Sequence, residues 1–183
     1  MIYVGSRRRL AEGVQITERM EMQMPTTLGR AYSVNWRGRP PHMLRPDVPI
    51  WYRFLERYGY LFQRLYYDCL LGGPELTPAQ ERDPMQRMYR MNVCKRADAI
   101  AETDKETWLI EVADGPGLRA VGQLMVYRYL WREDPKIPKP DRRLLVCRMI
   151  DRDMFAAAAK DGILIYVIPN DPDEPPRVWA TPG

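Results

Sequence analysis

The sequence predicts one α/β domain, and three observations carry that expectation. Apolar residues recur at three- and four-residue spacing after Pro49, a strand pair brackets the turn at Asp104-Lys105, and strand alternates with helix from there to Ile168. At 183 residues with 45% hydrophobic content, the chain can bury one substantial core.

Residues 1–47 read differently from the rest. They combine Arg7-Arg8-Arg9, methionines at 20, 22, 24 and 43, and the prolines Pro40, Pro41 and Pro46, which favour an extended arm. Val14–Met24 carries a short amphipathic pattern compatible with either a strand or a helix. Tyr32 and Trp36 lie among Arg30, Arg37 and Arg39. Stacking surfaces beside cations suit single-stranded or phosphate-rich ligands, and equally a protein interface. Protein subunits are therefore the expected partners of the arm, with DNA a further one, and Arg37 and Arg39 are candidate phosphate contacts.

The domain proper spans 48–169. Ile50, Trp51, Phe54, Leu55, Tyr58, Leu61, Phe62 and Leu65 make one apolar helical face, with proline near the first turn. A short strand, 66–71, ends at Gly72-Gly73-Pro74, and 75–84 reads as a polar loop. Residues 88–101 read as a long strand that pairs with 107–113. Gly115-Pro116-Gly117 breaks the chain before a helix over 118–131. A strand over 143–150, an alanine-rich helix over 151–160 capped by Asp151 or Asp153, and a strand over 163–168 complete the order. The tail, 170–183, is acidic and Pro-rich at first, and is expected to be loose.

Composition narrows the function classes. A net charge of +4 with a pI near 9.0 permits a polyanionic partner without demanding one. Only five of the 28 basic residues are lysines, so positive charge here is mostly planar, permanently charged guanidinium. Cys69, Cys94 and Cys147 are scattered through apolar stretches read as strands, which points to reduced thiols in a reducing compartment. The one histidine, His42, has no cysteine or second histidine near it in sequence, which argues against a zinc site or a histidine-based triad. No apolar run approaches the roughly 18 residues that span a bilayer, and the N-terminus lacks signal-peptide order. A soluble protein of the cytoplasm, or of a phage particle, is expected, with no membrane partner.

The element order and four residues within it carry a resemblance. Asp98 on one strand, Glu111 on the next, and Gln123-x-x-x-Tyr127 on the following helix resemble the PD-(D/E)xK phosphodiesterase superfamily, in particular its RecB-like branch. The likeness covers roughly residues 49–169. It implies a restriction-endonuclease-like αβββαβ core with a mixed central sheet flanked by helices. It also implies that Asp98 and Glu111 hold magnesium or manganese while Gln123 and Tyr127 position the site or the DNA backbone. Two carboxylates with water are what a hard cation needs, and the metal would polarise the scissile phosphate.

The family lysine two residues after the glutamate is Ala113 here, and alanine can neither position water nor offset charge. Strand parity puts Arg96 with Asp98 and Glu111 with Ala113, and turns Lys95 away from Asp98. Lys105 falls at the hairpin tip, and Lys136, Lys139 and Lys160 follow the second helix. Arg96 or Arg119 can hold a phosphate, although a guanidinium is a poor base. Arg96 could instead pair with Glu111 across the hairpin. The expectation is a catalytically degenerate member of this fold serving a larger oligomeric assembly as a structural or DNA-binding subunit, with a phage virion or packaging complex as one home. The alternative is an active magnesium- or manganese-dependent DNA nuclease with a displaced basic residue. No phosphate-cradling glycine loop or metal-spaced His/Cys cluster supports a small-molecule enzyme.

Overall fold

A computed structural model describes residues 25–170 and 176–179. Arg7-Arg8-Arg9 and Val14–Met24 lie outside them. The described chain is an α/β fold whose seven strands form one mixed sheet in sequence order: β1 (Ala31–Tyr32), β2 (Arg64–Leu71), β3 (Lys95–Glu102), β4 (Thr107–Ala113), β5 (Asp141–Cys147), β6 (Leu164–Val167) and β7 (Arg177–Trp179). The first three junctions and the last are antiparallel; β4 to β5 and β5 to β6 are parallel.

Parallel neighbours need a crossover. Helix α4 (Leu118–Glu133) supplies the first and α5 (Arg152–Lys160) the second. Both cover one face, where Leu124, Tyr127, Trp131 and Ala158 pack on Ile100, Leu109, Leu145, Cys147 and Ile165. Helix α1 (Asp47–Tyr58) covers the other, laying Ile50, Trp51, Phe54 and Leu55 on Leu65, Tyr67, Ile110, Val112 and Val146. Covered on both faces, β4 is buried from Thr107 to Val112. The order α1, β2, β3, β4, α4, β5 is the expected αβββαβ core.

Several boundaries differ from expectation. The first helix starts at Asp47 and stops at Tyr58, a 3₁₀ turn follows over Gly59–Leu61, and Leu65 belongs to β2. The polar loop contains helix α2 (Pro78–Arg82), closed by a capping box between Thr77 and Gln80. The long strand from Met88 is instead helix α3 (Pro84–Val93) followed by β3. Asp83 caps α3 by accepting from the Met85 amide at 2.9 Å, and Pro84 opens it. Its apolar residues face solvent and its polar side, with Arg90, faces inward, the reverse of an ordinary surface helix. Cys94 therefore ends a helix rather than lying in a strand, and its thiol meets the Gly72 carbonyl at 3.0 Å. The tail expected to be loose provides β7.

The described part of the arm lies on the sheet. Thr27 exchanges backbone hydrogen bonds with Leu70, and β1 pairs with β2. Tyr32 and Trp36, read as surfaces for a ligand or partner, pack against each other and on Tyr67 with ring centroids 4.6 to 5.6 Å apart.

Candidate functional site

The site forms where two strands part. The β3–β4 ladder runs from Glu102↔Thr107 to Ala99↔Ile110 and stops. Beyond it the Asp98 carboxylate replaces backbone pairing, accepting the Val112 amide at 2.8 Å. Side-chain alternation breaks at the same level on β2 and β3. Tyr67 and its partner Ala99 belong to the α1-side core, whereas Cys69 and its partner Ala97 belong to the α4-side core. Asp68, between Tyr67 and Cys69, has a φ of +56°, a left-handed conformation that bulky residues avoid. Parity therefore does not carry across Asp98.

Glu111 is buried between β4 and α4, where three expected residues meet. The Gln123 amide donates to the Tyr127 hydroxyl at 2.8 Å. That hydroxyl lies 2.6 Å from the Arg96 carbonyl and 3.1 Å from Glu111 Oε2. Tyrosine has one proton, so its hydroxyl is shared between two acceptors, the Arg96 carbonyl held closer than the Glu111 carboxylate.

Burial, then the Asp98 charge, raises Glu111 well above the usual carboxylate range; Arg119 and the Tyr127 contact pull back. Burial also raises Asp98, opposed by the Val112 amide and Arg119 and reinforced by Asp47. Asp47, buried in the first turn of α1, accepts from the Asp114 amide at 2.9 Å; its own carboxyl is raised by burial despite that bond. Asp47 was missed in the sequence, although an acid between Pro46 and Pro49 marks a helix start.

The positive side of the site opens to a cleft of about 630 Å³. His42, Asn92, Lys95, Arg96, Arg119, Gln123 and Tyr127 line it, with Met91 and Val126 at its apolar edge, and no acid is among its lining residues. Lys95, expected to face away, lines this cleft from the first residue of β3, where the chain emerges from α3. Arg96 does not pair with Glu111: its guanidinium lies 3.3 Å from Asp68 Oδ1, 2.6 Å from His42 Nε2, and donates to the Met91 carbonyl at 3.0 Å. His42 Nε2 is itself 3.3 Å from Asp68 Oδ2, and His42 also has a left-handed backbone with φ +61°. His42 and Asp68 carried no motif that sequence reasoning could have found. Arg37 donates to the Val34 and Trp36 carbonyls and lies over Tyr52, and neither it nor exposed Arg39 lines the cleft.

Arg119 is thus the cation that acts on the carboxylate pair, from the first turn of α4, while Ala113 offers only a methyl group. Among the described residues no group of three or more His, Cys, Asp or Glu side chains is placed to hold a metal ion. Asp98 and Glu111 are two carboxylates raised by burial, Glu111 further by the Asp98 charge.

The fold and site define an α/β protein with a buried Glu111 and a half-buried Asp98 beside a cationic cleft. Compared with known proteins, the chain matches no family model, no curated sequence and no solved structure. Among the described residues no helix is long and apolar enough to cross a membrane.

Proposed function

We propose that the protein is a catalytically degenerate member of the PD-(D/E)xK fold that binds a DNA backbone as a subunit of a larger assembly, with a phage virion or packaging complex as one home. The observation that carries this reading is the cleft: four cationic or potentially cationic side chains, His42, Lys95, Arg96 and Arg119, line it without an acid. Phosphodiester oxygens are the ligands such a surface attracts, and guanidinium groups grip them bidentately. Degeneracy follows from Ala113 and from Glu111, which is buried and engaged by Tyr127.

A second reading, an active nuclease, is favoured by the survival of both carboxylates and of the Gln123–Tyr127 pair. In that case Asp98 and Glu111 would hold magnesium or manganese, which supplies Lewis-acid activation of the phosphate. Arg119 would hold the phosphate, and a base would have to come from elsewhere.

Two assays on the full chain separate these readings. Fluorescence anisotropy with labelled DNA should show binding that weakens steeply with salt, and Arg119→Ala or Lys95→Ala should weaken it about equally for all sequences. Binding unaffected by both substitutions refutes the cleft as the DNA site. Incubation of linear and circular DNA with magnesium or manganese should show no cleavage; cleavage abolished by Glu111→Ala would establish the active alternative.

A further inference from the structure

Helix α3 is turned inside out. Its one buried residue is an arginine: Arg90 donates Nε to the Pro74 carbonyl at 3.1 Å, Nη1 to Thr27 Oγ1 at 3.0 Å and Nη2 to the Pro25 carbonyl at 3.1 Å. Met85, Met88, Tyr89, Met91 and Val93 are exposed. At 100° per residue Met85 and Met88 lie on the side opposite Arg90, Tyr89 and Met91 flank them, and Val93 closes the C-terminal end. Helix α4 extends the surface, since Val126 shares the cleft edge with Met91, and Met125 and Tyr129 are exposed beside it. Large apolar side chains gathered on one exposed face mark a docking surface, and methionine adapts its shape to whatever packs on it.

We infer that this face is the docking site for the chain's own segment Val14–Met24, which lies outside the described residues. The place where the described chain begins is the first argument. Arg90 of α3 holds the carbonyl of Pro25, the first described residue, so that residue lies against α3 itself. Reach is ample: eleven residues extend to about 36 Å, against about 15 Å for a ten-residue helix. Pattern agrees as well. Val14, Ile16, Met20, Met22 and Met24 occupy alternate positions, so an extended chain carries them on one side. That side bears one acid, Glu18, and the cleft adjoining α3 is lined by Lys95, Arg96 and Arg119. Three of the chain's eleven methionines lie in the segment and four on the face.

Dilute hydrogen peroxide with peptide mass spectrometry tests this on the full chain, because sulfoxide formation follows exposure. Met85 and Met88 are 69% and 53% exposed in the described fold, and Met149 at 54% serves as the reference within the same molecule. Docking predicts that Met85 and Met88 oxidise several-fold more slowly than Met149. In the double variant Val14→Asp with Met22→Asp, all three should oxidise at similar rates, with the circular dichroism spectrum unchanged. Equal rates at the three methionines in the unaltered chain overturn the inference, as does protection that survives the double variant. Protection that grows with protein concentration also overturns it, because the cover would then come from a second copy.

Discussion

At the scale of single residues, Tyr127 ties the site together, because one hydroxyl serves the Arg96 carbonyl, the Gln123 amide and Glu111. Tyr127→Phe leaves buried polar groups unpaired and should cost about 1–3 kcal/mol in urea unfolding; a smaller loss would mean that water replaces the hydroxyl. The carboxylates predict a pH dependence. Asp98 and Glu111 are raised in the folded protein above their ordinary values of 3.8 and 4.5, so the folded state keeps protons that the unfolded chain releases. Stability is therefore fully present at acid pH and is lost as pH rises from the ordinary carboxylate range through the raised values. In chelator, the unfolding temperature should fall between about pH 4.5 and pH 8, and Glu111→Gln should flatten that fall. Parallel profiles for the two proteins would place Glu111 in solvent. Asp98, Glu111, Gln123 and Tyr127 were legible as a group because they fall on successive elements, and the structure does bring Glu111, Gln123 and Tyr127 into contact. The sequence could not show Asp47, Asp68 or His42, because chain crossings alone bring them to the site.

At the scale of elements, α3 depends on a polar anchor rather than an apolar face. Arg90→Met removes the hydrogen bonds to Pro74, Thr27 and Pro25 and should destabilise the fold by about 3 kcal/mol, read by denaturant unfolding. Gly73 behind it has a φ of +77°, and an added Cβ would lie 2.5 Å from the Cys94 sulfur, so Gly73→Ala should also destabilise measurably. These two facts explain why the segment read as a strand. Apolar periodicity reports what is buried, and in α3 the buried residue is an arginine. Helix α2 was legible after all, in Thr77-Pro78 with Gln80 three residues after the cap. Helix α5, capped by Asp151, and α4, which follows the Gly115-Pro116-Gly117 break, were found within two residues of their observed bounds, whereas the apolar face of α1 read through to Leu65, seven residues past its end at Tyr58.

At the scale of the whole molecule, the cleft exists because the end of α3, the start of β3, α4 and His42 are brought together there. If the acidic pair retains catalytic capacity, Ala113→Lys should produce metal-dependent DNA cleavage that the unaltered protein lacks; no gain would show that more than the lysine has been lost. The sequence by itself determined the α/β class, the αβββαβ order and the acidic pair with its helix partners. Those properties are written in local periodicity and in spacing along neighbouring elements, which a chain carries before it folds. Only the tertiary structure decided which way Lys95 and Arg96 point, that Arg119 is the cation acting on the carboxylates, and that α3 turns its methionines outward. Each depends on where strand alternation is interrupted and on which distant residues fill the space around it, and those are settled only by the packing of the entire chain.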